Sequence, residues 1–224
     1  MKILLTCCFA FILALPGTAT PGQNLSSTGD ETSQMVTCAN LIYAGTRSSV
    51  CFSDSFLRNV AEDSTIATAR KFKPVKLTDG EVYQFPFAVM TGEGEFSLRE
   101  NEREQLKNYL LGGGFLLASA GCSNKEWDRA FRGEIAAIFP DLQLKPLPMD
   151  HEIFNTLHEI ADLKTKGEEA KLEGLEIGGK IVLVYSSDGL NDTSTMHGCC
   201  CCGGNEIKNA QQVNANILVY ALLQ

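Results

Sequence analysis

Cys122 stands at a point in the chain where a nucleophilic thiol would be well placed. It follows an apolar run, 115–119, and directly precedes Ser123 and Glu126, whose spacing is typical of a helix start. The positive end of a helix dipole stabilises a thiolate. The sequence therefore makes Cys122 a candidate nucleophile for hydrolysis or group transfer. A packed or disulfide-bonded cysteine is the alternative interpretation.

The densest group of soft donor side chains is a glycine-framed run near the C-terminus, which holds His197, Cys199, Cys200, Cys201 and Cys202. Thiolates and imidazoles bind zinc or copper, so either metal is a candidate cofactor. However, neighbouring residues of an extended chain point to opposite faces, and the spacing is not the paired C-x-x-C of common zinc sites. In an oxidising compartment these thiols could instead form disulfides with Cys38, Cys51 or Cys122. We expect disulfides or metal to hold the run, with redox-active free thiols as a third interpretation.

A third candidate group consists of acidic residues and glycines that follow predicted strands. In open α/β sheets, ligands bind beyond the carboxyl ends of the strands. The residues expected to line such a pocket, at the same edge as Cys122, are Gly92, Glu93, Gly94, Glu95 and Asp188. A solvated turn is the alternative interpretation.

The elements that must position these residues alternate along the chain. Apolar runs predict strands at 36–43, 73–77, 85–91, 115–119 and 181–185, with a hairpin over 175–181 leading into the last. Amphipathic spacing predicts helices that begin near Ser53, at a capping box of Ser97 with Glu100, at a capping box of Ser123 with Glu126, and near residue 206. This alternation predicts an α/β fold with a mainly parallel sheet covered on both faces.

Several short segments have an order and spacing typical of one protein family. They are residues 90–96, 110–116 and 127–132, together with 139–140, 147–151 and the ending 214–221. In these segments the chain resembles the bacterial family labelled as a domain of unknown function, DUF4159, from about residue 36 to the end. That family in turn resembles the trehalose-utilisation (ThuA-like) and class I glutamine amidotransferase superfamily. The resemblance implies a flavodoxin-like three-layer fold with a mainly parallel central sheet.

The amidotransferase resemblance bears directly on Cys122. In class I amidotransferases the nucleophile occupies this strand-to-helix turn, usually as Gly-x-Cys-x-Gly, and a later His-x-Glu supplies the base. In this chain Asn124 stands where the second glycine would be, and His197 is followed by Gly198 and Cys199. The resemblance therefore implies the amidotransferase-like fold more firmly than the amidotransferase reaction. A sugar-related ligand is an association of the ThuA-like proteins only.

The first residues are typical of an exported protein. A basic Lys2 precedes the apolar run 3–15, and small residues then lead to Ala19, which predicts a cleavable signal peptide over 1–19. An apolar run of this length falls short of the roughly 20 residues that a membrane helix needs. Residues 20–34 are polar and are expected to form a flexible tether, followed by a single domain over 35–224. We expect a periplasmic or extracellular protein with no membrane span after cleavage.

The charge balance excludes one class of partner. Acidic residues outnumber basic ones by 27 to 19, for a net charge of -8, and lysines and arginines do not cluster. Such a surface repels phosphate backbones, so nucleic acid is not an expected partner.

Two classes of function fit this sequence. We favour an exported, non-catalytic module that binds a ligand or protein partner of unknown identity, with the cysteine run as a disulfide or metal staple. The alternatives are a cysteine-dependent hydrolase or transferase that uses Cys122, and a thiolate metal-binding protein. The missing second glycine and the missing His-x-Glu motif favour the non-catalytic interpretation.

Overall fold

The computed structural model describes residues 35–45, 47, 52–191 and 205–224. The predicted leader (1–19), the predicted tether (20–34), Cys51 and the run from His197 to Cys202 lie outside the described residues.

Within the described part of the chain, seven strands form one sheet: β1 (Ala39–Ile42), β2 (Lys73–Lys76), β3 (Phe87–Gly92), β4 (Phe115–Ala120), β5 (Lys145–Pro146), β6 (Leu172–Ile177) and β7 (Lys180–Ser186). Their order across the sheet is β2-β1-β3-β4-β7-β6-β5. The first five in this order are mutually parallel, whereas β6 runs antiparallel to both β7 and β5. The predicted hairpin is the β6–β7 pair, and the short β5 was not predicted.

Helices cover both faces of the sheet: α1 (Ser55–Asp63), α2 (Glu100–Leu111), α3 (Lys125–Ile138) and α4 (Ala210–Leu223). Helices α1 and α4 pack together on one face, and α2 and α3 pack on the other. The predicted flavodoxin-like, three-layer α/β fold with a mainly parallel sheet is therefore confirmed. None of the helices described here is long and apolar enough to cross a membrane.

The central strands consist mostly of apolar residues because helices cover both faces of the sheet. All six residues of β4 are buried. Side chains alternate between faces along a strand, so Leu117 joins the core under α1 and α4, while Leu116 joins the core under α2 and α3. Val89 and Met90 of β3 divide between the two faces in the same way.

The second helix does not begin at the predicted capping box. Helix α2 starts at Glu100, and the backbone N–H of its N-cap, Arg99, donates to the Glu102 carboxylate at 2.8 Å. The hydroxyl of Ser97 instead donates to Glu134 of α3 at 3.1 Å. Because this tertiary acceptor engages the hydroxyl, Ser97 does not cap the helix.

The third helix is also capped one residue later than predicted. Asn124 is the N-cap of α3, and its side-chain oxygen accepts the N–H of Trp127 at 2.9 Å. The hydroxyl of Ser123 donates to the carbonyl oxygen of Asp188 at 2.7 Å. The hydroxyl of Ser123, which its spacing assigned to the cap of α3, is therefore bonded to a distant carbonyl oxygen instead.

Helix α4 is buried more completely than its predicted one-sided pattern implied, and it begins at Ala210 rather than near residue 206. Asn214 and Asn216, inside the helix, are 0% and 1% exposed. The amide of Asn216 donates to the carbonyl oxygen of His158 at 2.7 Å and accepts the His158 N–H at 2.8 Å. The stretch before β6, which has no clear sequence pattern, therefore packs against α4 and satisfies the side-chain amide of Asn216.

Candidate functional site

The direction in which strands are added to the sheet reverses between β1 and β3. After β1 the chain forms β2 on one side of that strand and then β3 on the other, so the turns after β1 and β3 diverge. Open α/β sheets bind ligands at such a reversal, beyond the carboxyl ends of the strands. Because β1, β3, β4 and β7 are parallel, the turns that follow them share this edge.

Direct contacts join three of the predicted site residues at this edge. The thiol of Cys122 donates to Oε1 of Glu93 at 3.2 Å. The hydroxyl of the next residue, Ser123, donates to the carbonyl oxygen of Asp188 at 2.7 Å, across 65 residues of chain. The fold thus brings Cys122, Glu93 and Asp188 into one neighbourhood.

Cys122 lies in a sharp turn between β4 and α3. Its backbone has φ 52° and ψ 32°, in the left-handed region, and Ser123 follows with φ 53°. Such a conformation costs about 1–3 kcal/mol at a residue other than glycine. Gly121 allows the turn to approach β3, since a Cβ there would lie 2.9 Å from the carbonyl oxygen of Gly92. The turn therefore holds a partly exposed thiol beside the end of β3.

The described histidines lie away from this thiol. The ring of His151 packs against Tyr220, in the last turns of α4, which ends at the amino edge of the sheet. Nε2 of His158 lies 3.7 Å from Asp63, at the C-terminal end of α1. His197 lies outside the described residues.

A carboxylate is therefore the acid–base group that the structure places against the thiol, and it can accept the thiol proton. The loop that carries Glu93 is tethered on both sides. NH1 of Arg47 donates to the carbonyl oxygen of Glu93 at 2.8 Å, and the N–H of Gly94 donates to the Asn124 side chain at 3.0 Å. The backbone of residues 93 and 94 is thus held in place, while the side chains of Glu93 and Glu95 are both exposed.

Gly92 has a packing role that the sequence did not predict. The hydroxyl of Tyr43 donates to the carbonyl oxygen of Thr91 at 3.0 Å and accepts the indole N–H of Trp127 at 2.7 Å. Burial raises the pKa of Tyr43 to about 12. A Cβ on Gly92 would lie 2.4 Å from the Tyr43 oxygen and 2.9 Å from Nε1 of Trp127. The turn after β3 therefore packs directly against Tyr43 and Trp127.

Asn191 links the carboxyl ends of three strands, a role that the sequence did not predict. It is 1% exposed, and its side-chain oxygen accepts hydrogen bonds from Thr91 at 3.2 Å and from Ser119 at 3.4 Å. Ser119 in turn accepts the backbone N–H of Leu190 at 2.7 Å. This network connects the ends of β3 and β4 to the turn after β7. An isolated asparagine in a loop carries no local signal of such a role.

Replacement of Asn191 by alanine is expected to lower the free energy of unfolding by about 2 kcal/mol, because two buried hydroxyls lose their acceptor. Urea denaturation followed by circular dichroism measures the loss. Asn101→Ala is the matched control, since Asn101 is exposed on α2 and its replacement should change stability by less than about 0.5 kcal/mol. Equal effects of the two substitutions would contradict the assigned role of Asn191.

A polar cleft of about 670 Å³ opens beside the turn that carries Cys122. Its lining includes both charge signs and neutral donors, contributed by Ser123, Lys125, Asp128, Lys166, Asp188 and Asn205. The amide of Asn205 donates to the Asp188 carboxylate at 3.1 Å, and the backbone N–H of Asn205 donates to Ser123 at 2.7 Å. Of the five residues predicted to line a pocket, Asp188 lines this cleft, whereas Gly92, Glu93, Gly94 and Glu95 do not.

One wall of this cleft is oriented by a network around Asp128. Oδ1 of Asp128 accepts the hydroxyl of Tyr185 and Nε of Arg132, each at 2.7 Å. Arg132 continues to the carboxylate of Glu173 on β6 at 2.5 Å, and burial raises the pKa of Tyr185. The carboxylate of Asp128 is thus held at a defined position beside the cleft.

The structure describes one of the suggested disulfide partners, Cys38, in a buried position. Cys38 precedes β1, at the amino edge of the sheet, where its side chain is 1% exposed and burial raises the pKa of its thiol to about 12. The suggestion that Cys38 pairs with the cysteine run stays a prediction, because that run lies outside the described residues. Among the described residues, no three or more histidine, cysteine, aspartate or glutamate side chains are grouped to hold a metal ion. The predicted metal or disulfide residues, His197 and 199–202, lie outside that part of the chain.

Comparison with known sequences shows the family of this chain. No curated protein is significantly similar to the chain. The family model described as a domain of unknown function (DUF4159) matches residues 39–222, from β1 almost to the end of α4. This chain belongs to the DUF4159 family.

Proposed function

We propose that the protein is an exported, non-catalytic module that binds a small polar ligand at the carboxyl edge of its sheet. The observation that carries this proposal is the cleft of about 670 Å³ beside the turns after β4 and β7. Its volume falls in the range of small-molecule sites, roughly 300–1,000 Å³. The cleft also lies at the edge where open α/β sheets bind their ligands.

The lining of the cleft favours one kind of ligand. Lys125 donates, Asp128 and Asp188 accept, and the amide of Asn205 does both. The lining side chains that the structure describes include no aromatic ring on which a sugar could stack. A small molecule with both positive and negative, or both donor and acceptor, groups fits this cleft better than a sugar.

The scaffold is proposed to be that of the class I glutamine amidotransferase-like superfamily, without its reaction. Asn124, at the position of the second glycine of the amidotransferase motif, caps α3 and also accepts the N–H of Gly94. This residue therefore serves the loop structure rather than an open nucleophile turn. The described histidines, His151 and His158, lie toward the other edge of the sheet.

The cysteine run is proposed to be held by disulfides or by a zinc or copper ion beside this cleft. The described chain resumes at Asn205, three residues after Cys202, and Asn205 contacts Ser123, the neighbour of Cys122. Cys122 is therefore a better placed disulfide partner for the run than the buried Cys38. Thiol counting and elemental analysis of the exported protein distinguish disulfide bonds from a bound metal ion. A protein with all thiols free and no metal would rule out both.

Binding to the cleft is tested with the exported chain and a defined panel of amino acids, dicarboxylates and trehalose, by calorimetry and by NMR shift changes. We expect one class of these compounds to bind. Lys125→Gln or Asp188→Asn should lower its affinity about tenfold, because each substitution removes one charged hydrogen bond. Lys107→Gln, an exposed lysine on α2, is the control and should leave affinity unchanged. If nothing in the panel binds, or if all three variants bind equally, the proposal fails.

A cysteine-dependent reaction is the second candidate, favoured by the left-handed backbone of Cys122 and its 3.2 Å contact with the Glu93 carboxylate. A nucleophile and a base within hydrogen-bond reach are the minimum for such chemistry. The missing amidotransferase motifs place this candidate second.

We expect iodoacetamide to alkylate Cys122 no faster than an ordinary exposed thiol at pH 8, with peptide mapping as the measurement. Cys38 is the internal control, since a buried thiol with a pKa of about 12 should react only on unfolding. Rapid, selective modification of Cys122 that slows in Glu93→Gln would overturn the preference for a non-catalytic module. Hydrolysis of an ester that disappears in Cys122→Ser would do the same.

A further inference from the structure

A second cavity, of about 610 Å³, lies between α1, the segment 158–164 and the start of α4. It is separate from the cleft at the sheet edge. Every side chain that lines it is polar, among them Asn59, Asp63, His158, Lys164, Lys208 and Gln211. This open, concave surface offers several donors and acceptors to a small polar molecule.

Two lysines are brought side by side in this cavity by backbone contacts. The N–H of Lys208 donates to the carbonyl oxygen of Lys164 at 2.6 Å, and the N–H of Lys164 donates to the side chain of Asn209 at 2.9 Å. Within the described residues neither lysine has a carboxylate within 4.0 Å. The amide of Asn209 also donates to the carbonyl oxygen of Asp162 at 3.0 Å, which fixes the segment.

The cavity carries excess positive charge on an acidic protein. Its charged lining consists of Lys164, Lys208 and Asp63, which gives a formal charge of 2 − 1 = +1 with His158 neutral. The whole chain has a net charge of -8. Lys164 and Lys208 line the same cavity, so both ammonium groups can attract an anion bound there.

His158 supplies an unsatisfied polar atom in the same cavity. Its backbone N–H and carbonyl oxygen are both bonded to the Asn216 side-chain amide, so this residue is anchored to α4. Nε2 is buried and has no hydrogen-bond partner in the described part of the chain, and Oδ2 of Asp63 is 3.7 Å away, beyond hydrogen-bond range. A buried ring nitrogen without a partner costs free energy that a bound oxygen atom would recover.

The start of α4 adds a weaker contribution of the same sign. Lys208 and Gln211 flank the first turn of this 14-residue helix, which contains no acidic side chain. The positive end of a helix dipole favours an anion.

We propose that this cavity binds a small oxyanion, with Lys164 and Lys208 as its charged ligands and Nε2 of His158 as a hydrogen-bond partner. Ammonium groups and an imidazole are the donors that phosphate and carboxylate oxygens accept in proteins. The group bound is a phosphate or a carboxylate, free or carried by a larger molecule that fits the volume.

The experiment uses the exported chain and records the imidazole nitrogen resonances of His158 while inorganic phosphate or malonate is added at constant ionic strength. We expect a saturable shift at His158 and none at His151, whose ring packs against Tyr220. Lys164→Gln and Lys208→Gln should each weaken binding about tenfold. Lys180→Gln, an exposed lysine at the start of β7, is the control and should leave it unchanged.

A shift with phosphate alone assigns a phosphate site, and a shift with malonate alone assigns a carboxylate site. The proposal is overturned if sodium chloride moves His158 equally, if neither anion moves it, or if Lys180→Gln weakens binding as much as the cavity variants. Circular dichroism of each variant confirms that a lost shift does not reflect unfolding. Failure here leaves the cleft proposal intact, because the cavity and the cleft share no lining residue.

Discussion

Replacement of Glu134 by alanine is expected to lower the free energy of unfolding by about 3 kcal/mol, because it breaks a largely buried ion pair and leaves Arg103 with only the exposed carboxylate of Glu100, 3.5 Å away. Glu134 is 6% exposed on α3. Its carboxylate accepts Nε of Arg103 at 2.7 Å and the N–H of Leu98 and hydroxyl of Ser97, each at 3.1 Å. One side chain therefore joins α2, α3 and the segment that follows residues 93–95, the loop after β3 that carries Glu93 (the site loop).

Two controls separate the charge from the hydrogen bonds. Glu134→Gln keeps an oxygen for Leu98 and should lose less, about 1–2 kcal/mol. Glu62→Ala removes the exposed pair with Arg58, whose side chains are more than half exposed, and should cost no more than about 0.5 kcal/mol. Fluorescence of Trp127, the one tryptophan of the chain, follows urea unfolding. Equal losses of stability in Glu134→Ala and Glu62→Ala would show that the buried ion pair stabilises the protein no more than an exposed one.

Gly92→Ala is expected to destabilise the protein by about 3 kcal/mol, at the upper end of the usual cost of overpacking. The added methyl group would lie 2.4 Å from the hydroxyl oxygen of Tyr43 and 2.9 Å from Nε1 of Trp127. Both aromatic side chains are at most 1% exposed, so neither can move aside without disturbing the core. The end of β3 must shift instead, and the site loop shifts with it.

The partner variants make this prediction specific. Tyr43→Phe removes the oxygen that the methyl group meets, so the double variant should lose less than the sum of the single changes, which a double-mutant cycle measures. Gly133→Ala is the control: nothing lies within 4 Å of a Cβ there, on an exposed helix position of α3. It should stabilise the protein by about 0.5–1 kcal/mol. Additive behaviour of Gly92→Ala and Tyr43→Phe would contradict the proposed clash.

Much of the fold could be predicted from the sequence because its signals are local. Strands buried on both faces appear as apolar runs, and helices appear as stripes of apolar residues with a period near 3.6. The alternation of the two then restricts the topology to a covered, mainly parallel sheet. The same rule predicted that the turns with Cys122, Gly92 to Glu95 and Asp188 share one edge, and the structure places them there.

The predictions that failed are those in which a distant group displaced a local partner. Ser97 and Ser123 have the spacing of helix caps, but Glu134 and the carbonyl oxygen of Asp188 take their hydroxyls. The one-sided pattern of α4 was similarly overridden by residues before β6, which have no regular spacing. Local propensity is weak compared with a tertiary hydrogen bond, so it decides helix ends only where no such bond is available.

The sequence by itself determined the class of the fold, the edge of the sheet at which Cys122, Glu93 and Asp188 gather, and the excess of acidic over basic residues. Only the tertiary structure decided which side chains meet there. Cys122 contacts Glu93 across 29 residues, Trp127 contacts Tyr43 across 84, and Asn191 contacts Thr91 across 100. Periodicity records which side of its own element a residue faces, but not which residue of another element it will touch. Those pairings depend on strand order and on the close approach that glycines allow, and both arise only when the whole sheet is assembled.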